Sequence, residues 1–209
     1  TDVSFCKPIL FFDNSMLITT YSNSDSTGNK TKNSIGGTDV WLIKVSPNGI
    51  INWEKSIFGN DGDGGFSHIL NQDNSVVIGA VSDSKKGYDK SDDNIGLTNF
   101  WVIKIDSSGN KVWDVTRGSL HTDALVKIVQ SPTGGYVLGG FTLGGIGGDK
   151  TEPSWGSWDV WVVGIDSVGN KLWDKRIGGS YFDKLTDMVA TSDGGYLLAI
   201  QTSSSISGD

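Results

Sequence analysis

Cysteine and histidine, on which many catalytic and metal sites depend, are nearly absent from this sequence. The 209 residues include one cysteine, Cys6, and two histidines, His68 and His121. One cysteine cannot form a disulfide within the chain, so the fold does not depend on redox state. No G-x-S-x-G nucleophile motif occurs, and a zinc site needs more His and Cys ligands than these. The sequence therefore predicts a protein that is not an enzyme.

Long apolar runs and basic clusters are missing as well. No stretch is long and apolar enough to span a membrane. Lysine and arginine number 17 against 24 aspartates and glutamates, which gives a formal net charge of −7. A nucleic-acid backbone attracts clustered Lys and Arg, whereas the basic pair Lys85-Lys86 is flanked by Asp83 and Asp89. We therefore expect neither a membrane span nor a nucleic-acid partner. Because the sequence starts without Met or a signal peptide, we expect a segment of a longer chain or a cleaved product.

What the sequence has in abundance is a repeat of 60 residues. Six tryptophans and three glycines keep this interval: Trp41, Trp101 and Trp161; Trp53, Trp113 and Trp173; Gly49, Gly109 and Gly169. A period of this order in a strand-rich chain indicates a propeller or an array of small sheets. The repeat divides the chain into a degenerate first unit (residues 1–58), two full units (59–118 and 119–178) and the first half of a fourth (179–209).

Each unit is predicted to form four antiparallel strands. Residues 100–105 alternate with period two, so that Trp101, Ile103 and Ile105 share one face. The turn that follows ends near Gly109, which can adopt positive φ. A sheet of this size cannot bury both faces alone, so we expect the sheets to stack as propeller blades with the repeated tryptophans packed between them.

The predicted fold class is therefore all-β: a β-propeller-type tandem repeat of four-stranded antiparallel blades, with about 3.5 blades present and the propeller incomplete. Closure needs about four blades. Further blades of the same parent chain, or another molecule, are expected to supply the missing edge.

Carboxylates recur too, as in Asp63, Asp123 and Asp183. Recurrence in every unit favours a structural role, such as accepting hydrogen bonds from turn amides. Residues 60–65, Asn-Asp-Gly-Asp-Gly-Gly, depart from the repeat and resemble the start of a calcium loop, although the Glu that closes an EF-hand is missing. The sequence thus predicts no cofactor, with Ca²⁺ at Asp61 and Asp63 as an alternative.

The segments that link the two halves of each unit are long and variable. They cover residues 22–38, 82–98 and 142–158 and are rich in Ser, Asn, Asp, Gly and Lys. Loops held by a rigid scaffold are where binding usually occurs. The third contains Glu152, Trp155 and Trp158, and neither tryptophan is in the repeated register. Exposed aromatics beside small polar residues stack on sugars or anchor protein partners. The alternative is that both tryptophans pack back on the loop or the next blade.

One unit matches the motif D-x-W-x-x-K-x-D-x-x-G-N-x-x-W from Asp159 to Trp173, with Gly164 in place of the lysine. With the stretches Thr191–Ala199 and Gly148–Gly156, it resembles a repeat of large secreted and surface proteins of gliding and host-associated bacteria, and it is also similar to the repeat of quinoprotein-like propellers. The resemblance implies an extracellular or cell-surface bacterial protein of the type IX secretion substrate kind. Quinone chemistry is not implied, because these residues supply no cofactor pocket with a metal.

The function expected from these observations is a non-enzymatic binding or adhesion scaffold, which recognises a protein or glycan partner on a cell surface through its long loops. One alternative is a carbohydrate-binding, lectin-like propeller that uses Trp155 and Trp158. A second is a fragment of a propeller glycoside hydrolase, which would need two carboxylates about 5–10 Å apart in a cleft.

Overall fold

A computed structural model describes residues 8–205, except for the side chain of Phe66, and these residues form strands and connecting loops without a helix. Cys6 lies outside the described residues. The strands are β1 Ile9–Leu10, β2 Met16–Ser22, β3 Asp39–Val45, β4 Ile51–Ile57, β5 Asp63–Leu70, β6 Val76–Ser82, β7 Asn99–Ile105, β8 Lys111–Arg117, β9 Asp123–Gln130, β10 Tyr136–Thr142, β11 Asp159–Ile165, β12 Lys171–Ile177, β13 Asp183–Ala190 and β14 Tyr196–Thr202.

Neighbouring strands in the sequence are neighbours in the sheets. Sheet 1 has the order β1-β2-β3-β4, sheet 2 β5-β6-β7-β8, sheet 3 β12-β11-β10-β9, and β13 pairs with β14 in a fourth, two-stranded sheet. The pairs are antiparallel, as in β10 with β11, where Tyr136 lies opposite Ile165 and Thr142 opposite Asp159. The predicted fold class is confirmed: the chain is a tandem array of antiparallel four-stranded sheets, as in an incomplete propeller.

The turn between the third and fourth strands shows why these segments form hairpins. Asp106 Oδ1 accepts hydrogen bonds from the backbone N–H of Ser108 (2.9 Å) and Asn110 (2.8 Å), and Gly109 has a φ of 77°. The aspartate satisfies turn amides that the strands leave unpaired, and glycine adopts the left-handed conformation at little cost. Asp166 and Gly169 repeat the arrangement in sheet 3.

The chain forms two compact units. Unit 1 extends to Asp93 and includes Trp101–Val115, and unit 2 consists of Asn94–Phe100 and the chain from Thr116 onward. In unit 1 the fully buried Trp101, Ile103 and Ile105 pack with Leu17 and Leu42 of sheet 1. Burial of each large side chain contributes about 2–3 kcal/mol, so the space between the two sheets is the core of this unit.

Unit 2 has a core of the same kind. Val137, Val160 and Val162 of sheet 3 pack with Leu185 and Met188 of β13. At the other face of sheet 3, Phe100 lies against the fully buried Trp161, with ring centroids 5.3 Å apart. Each sheet thus buries apolar side chains against a neighbour, as expected for sheets that cannot cover themselves.

The two sets of repeated tryptophans differ in burial. Trp101 and Trp161 are completely buried, and Trp41 is half-buried. Of the second set, Trp53 and Trp113 are half-buried and Trp173 is 40% exposed. A Cβ at Gly164 would lie 2.3 Å from the Trp173 ring, so this glycine, which departs from the lysine of the motif, makes room for the indole. Trp173 is therefore less buried than the sequence indicated.

Candidate binding loops

The three long loops predicted from the sequence lie between the second and third strands of sheets 1, 2 and 3. Here they are called loop 1 (residues 23–38), loop 2 (83–98) and loop 3 (143–158). They contain Ser, Asn, Asp and Gly in place of an apolar core. Their conformation must therefore be held by polar contacts, and a small set of repeated side chains makes those contacts.

A carboxylate of the fourth strand holds loop 2 at its middle. Asp114 Oδ2 accepts hydrogen bonds from Trp101 Nε1 (2.9 Å) and from the backbone N–H of Ser91 (2.8 Å). Its other oxygen, Oδ1, accepts from Ser91 Oγ (2.5 Å) and Lys111 Nζ (2.6 Å). Burial alone would raise the pKa of Asp114, but the hydrogen bonds from Lys111, Ser91 and Trp101 together hold it below its usual value. The buried carboxylate is thus fully bonded in its ionised form.

The same clamp recurs in the other two loops. Glu54 accepts from Trp41 Nε1 (2.7 Å) and from the N–H of Thr31 (2.9 Å). Asp174 accepts from Trp161 Nε1 (3.1 Å) and from the N–H of Thr151 (2.9 Å). The first set of tryptophans therefore has a second role besides packing, because each indole N–H fixes the carboxylate that holds a loop. We refer to these three groups of residues as the Trp–carboxylate clamps.

A buried lysine stabilises the interior of each loop. Lys30, Lys90 and Lys150 are 4%, 2% and 1% exposed. Their ammonium groups donate to backbone carbonyls of their own loops: Lys30 to Ser24, Lys90 to Asp92 and Lys150 to Glu152. Burial lowers the pKa of Lys90 and Lys150. A buried ammonium needs such acceptors, so each loop is folded around its lysine.

The sequence contains a repeated signal for the clamps and the lysines. An acidic residue directly follows each tryptophan of the second set, and a Lys-Thr or Lys-Ser pair occurs in each loop: Glu54, Asp114 and Asp174; Lys30-Thr31, Lys90-Ser91 and Lys150-Thr151. All keep the 60-residue interval. Because the bonded residues lie 23 positions apart in the chain, no local pattern relates them.

Glu152 and Trp155 of loop 3 lie over the same part of β12. Glu152 Oε1 accepts from Lys175 Nζ (2.8 Å), and Oε2 accepts from the backbone N–H of Arg176 (2.8 Å). Arg176 Cζ is 3.3 Å from the centre of the Trp155 ring, and Trp155 remains 45% exposed. One face of this indole is therefore covered by a guanidinium group, while part of the ring is open to solvent.

Trp158, the third residue predicted for this site, is placed differently. Its ring meets the ring of Phe141 edge-on, with centroids 5.1 Å apart, and it is half-buried. Its backbone carbonyl accepts from the N–H of Asp183 (2.8 Å). Trp158 thus packs against sheet 3 and ties loop 3 to the start of β13, whereas Trp155 and Glu152 lie together on β12.

Asp61 and Asp63, predicted as calcium ligands, lie on either side of Ser84. The backbone N–H of Asp61 donates to Ser84 Oγ (2.8 Å), which donates to Asp63 Oδ2 (3.0 Å). Asp61 is exposed and Asp63 is 1% exposed. Within residues 8–205 no group of three or more His, Cys, Asp or Glu side chains is arranged to hold a metal ion. Calcium binding stays a prediction.

Asp63 belongs instead to a buried pair with Asp39. The pair recurs along the chain, but the residue type at the position of Asp39 changes. Burial, and then the charge of Asp39, raise the pKa of Asp63 to about 6, although Ser82 and Ser84 lower it. One repeat later the position of Asp39 is taken by Asn99, whose Nδ2 donates to Asp123 Oδ2 (2.9 Å), and in the repeat after that it is taken by Asp159. In unit 1 two carboxylates meet, and each has a buried Oδ1 without a hydrogen bond in the described structure. Since Asp39 and Asp63 are at most 1% exposed, they do not form a glycosidase cleft.

Comparisons with known proteins give likenesses without a family. No protein-family model matches the sequence. The regulatory protein FlaEY of Caulobacter vibrioides is 26% identical over an alignment of 164 residues, which covers 74% of this chain and 17% of that protein. A crystal structure of a protein of unknown function from Bacteroides caccae aligns with 78% of this chain and 49% of its own, with 9% identity and a TM-score of 0.46. This chain therefore spans a small part of the first protein and about half of the second.

Across residues 8–205, the structure contains no helix of the length and apolarity that a membrane crossing requires.

Proposed function

We propose that this chain is a non-enzymatic binding scaffold of an extracellular or cell-surface bacterial protein, in which loops 1, 2 and 3 recognise a partner. The observation that carries the proposal is the repeated Trp–carboxylate clamp. Three loops of different sequence are held in the same way: a carboxylate of the fourth strand accepts hydrogen bonds from a tryptophan indole and from a backbone N–H of the loop. Loops ordered in advance lose less conformational entropy when they bind.

The residues of the loops that are not in the clamps vary from one repeat to the next. After the clamp residue, loop 1 continues Lys-Asn-Ser-Ile-Gly-Gly, loop 2 Asp-Asp-Asn-Ile-Gly-Leu and loop 3 Glu-Pro-Ser-Trp-Gly-Ser. The charge changes from basic to acidic, and the apolar residue changes from Ile to Trp. A constant frame with variable exposed residues is the arrangement that other loop-based binding proteins use.

The length of FlaEY is compatible with this chain being one module of a larger protein. The similar segment makes up 17% of FlaEY, a regulatory protein. The motif from Asp159 to Trp173 is the basis for proposing a bacterial surface protein of the type IX secretion substrate kind. The similarity to FlaEY and the motif concern the kind of protein to which this module belongs. The partner must be identified from the loops.

An exchange of loop residues tests the proposal. Replacing residues 152–157 by residues 32–37 keeps Lys150, Thr151 and the clamp on Asp174 and removes the exposed residues of loop 3. Wild type and variant would be screened on peptide and glycan arrays. We expect the same thermal unfolding midpoint within a few degrees and a changed set of bound ligands. Unchanged binding by this variant and by the equivalent variant of loop 2 would contradict recognition by the loops.

Carbohydrate binding is the second candidate, and it is favoured by Trp155. Its indole is 45% exposed, and Glu152 beside it has a carboxylate that accepts hydrogen bonds from β12. A sugar ring stacks on an aromatic face and bonds to neighbouring polar groups. On a glycan array, Trp155→Ala should abolish a sugar signal and Trp158→Ala should reduce it only through stability. A glycan signal that survives Trp155→Ala would exclude this site.

A further inference from the structure

Five aliphatic side chains of unit 2 are exposed to solvent. They lie on the end of loop 2, on the β8–β9 connection and on the start of loop 3. The exposed fractions are 37% for Ile95, 72% for Leu97, 56% for Leu120, 41% for Leu143 and 65% for Ile146. We call these five residues the aliphatic patch.

The three segments that carry the patch are in contact. The backbone N–H of Leu97 donates to His121 O (3.1 Å), and that of Leu143 donates to Thr122 O (3.0 Å). A Cβ placed on Gly147, next to Ile146, would lie 2.5 Å from Leu120 Cδ1, and one on Gly148 would lie 2.6 Å from Ile95 Cγ2. The five side chains therefore belong to one continuous surface.

Most of the patch departs from the repeat, which indicates that the sheets do not need it. At three of its five positions the other repeats have glycine or polar residues, and at the position of Ile146 two of them have polar residues while the last has Ile206. These are Gly37 and Ser157 for Leu97, Asn60 and Ser180 for Leu120, Asn23 and Asp83 for Leu143, and Ser26 and Lys86 for Ile146. Exposed aliphatic side chains that a scaffold can omit are retained at a binding surface more readily than anywhere else.

The size of the patch is that of an interface core. The exposed parts of the five side chains amount to roughly 500 Å², within the range of apolar patches that mark interaction sites on monomers. A standard interface buries about 800 Å² per partner, of which somewhat more than half is apolar. The patch could thus supply the whole apolar share of one such interface.

We propose that the aliphatic patch binds a segment of another protein that presents aliphatic side chains flanked by lysine or arginine. The inference rests on the proposed binding function and names its partner class. The patch contains Leu and Ile and no aromatic ring, so it favours apolar side chains over sugars. The chain has a net charge of −7, and Asp92-Asp93 immediately precedes the patch in the sequence. Near the patch, Lys150 is buried and Arg117 is paired with Asp149, 4.0 Å away.

The same charges disfavour a second copy of this chain as the occupant. Two chains of charge −7 repel each other at moderate salt, whereas a cationic segment is attracted. A homodimer is therefore the competing outcome that the experiment must separate from a heterologous partner.

The experiment measures the binding of three labelled twelve-residue peptides by fluorescence anisotropy in 0.15 M salt. The Leu/Lys peptide alternates Leu and Lys, the Ser/Lys peptide alternates Ser and Lys, and the Leu/Glu peptide alternates Leu and Glu. The variant Leu97→Ser/Leu120→Ser/Ile146→Ser introduces the serines that other repeats have at these positions. The matched control is Leu172→Ser, which removes a leucine of β12 that is 61% exposed. Of the three peptides, we expect the Leu/Lys peptide to bind the wild type most tightly. It should bind the triple variant at least tenfold more weakly than the wild type, and the control variant as tightly as the wild type. The thermal unfolding midpoints of the three proteins should be alike.

Several results would overturn the inference: no binding of the Leu/Lys peptide, equally tight binding of the Ser/Lys peptide, or unchanged binding by the triple variant. Sedimentation velocity would also overturn it if the wild type were a dimer and the triple variant a monomer. The exchange of residues 152–157 in loop 3 distinguishes failure of the inference about the aliphatic patch from failure of the proposed function. If that exchange alters ligand binding and the triple variant does not, the loops recognise a ligand without the patch.

Discussion

At the scale of single residues, the buried carboxylates behave in two opposite ways. Asp114 is surrounded by donors, so its pKa lies below the usual value. Burial and the charge of Asp39 raise the pKa of Asp63 to about 6, because the hydrogen bonds that it accepts do not offset them. The first kind stabilises the folded chain when ionised, and the second kind stabilises it when protonated.

Removing the carboxylate of a clamp should be costly. Asp114→Ala leaves Trp101 Nε1 and the Ser91 N–H without their acceptor at a site that is 6% exposed. We expect the free energy of unfolding to fall by about 2–4 kcal/mol, measured by denaturant titration. The control Asp106→Ala removes a turn aspartate near the surface and should cost about 1 kcal/mol or less. Equal losses in the two variants would contradict the clamp.

The buried pair of unit 1 should make stability depend on pH. The folded-state pKa of Asp63 is raised, so the stability it contributes is present at low pH and is lost as the pH rises through about 6. Asp39→Asn reproduces the bonded pair of Asn99 and Asp123. This variant removes the charge of Asp39 but leaves Asp63 buried, and burial is the largest cause of its raised pKa. Relative to wild type, it should gain about 1 kcal/mol or less between pH 4 and pH 8, measured as the free energy of unfolding.

The reverse exchange is the control for that measurement. Asn99→Asp places a second carboxylate beside Asp123 and removes the amide donor, so this variant should lose stability as the pH rises from 4 to 8. If both variants follow the wild-type pH profile, the buried pairs do not carry the pH dependence.

At the scale of elements, turn glycines differ in what surrounds them. Gly109 has a φ of 77°, and a Cβ there would lie 2.9 Å from the Trp53 ring. Gly49 occupies the same turn position with a φ of 84° and has nothing within 4 Å. Gly49→Ala should therefore cost about 1 kcal/mol for the left-handed backbone.

Gly109→Ala should cost about 1–2 kcal/mol more than Gly49→Ala, because the added methyl group also displaces an indole. The difference between the two thermal unfolding midpoints isolates this contact. Identical midpoints would show that Trp53 does not pack on the turn in solution.

The strands and turns were predictable from the sequence because their signals are local. Period-two alternation in residues 100–105 and the Asp–Gly turn at residues 106–110 determine a hairpin without reference to the rest of the chain. The interior of the loops was not predictable in this way. Lys90 looks like a surface residue in the sequence, but it is 2% exposed, and its ammonium group donates to the Asp92 carbonyl of its own loop.

At the scale of the whole molecule, the 60-residue period predicted tandem four-stranded sheets correctly, because each sheet must bury its apolar face against a neighbour. The structure brings two of the three residues predicted for the candidate site together. Glu152 and Trp155 do lie together, whereas Trp158 packs on Phe141. The aliphatic patch escaped the sequence analysis, because three segments far apart in the chain form it and each contributes only one or two residues.

We infer that the clamps hold the long loops in one conformation before any partner binds. Amide hydrogen exchange tests it most directly, since the N–H groups of Thr31, Ser91 and Thr151 donate to the clamp carboxylates. We expect these amides to exchange about a hundredfold or more slowly than in an unfolded peptide, with Ser91 losing its protection in Asp114→Ala. Exchange of all three at the rate of an unfolded peptide in the wild type would contradict the account.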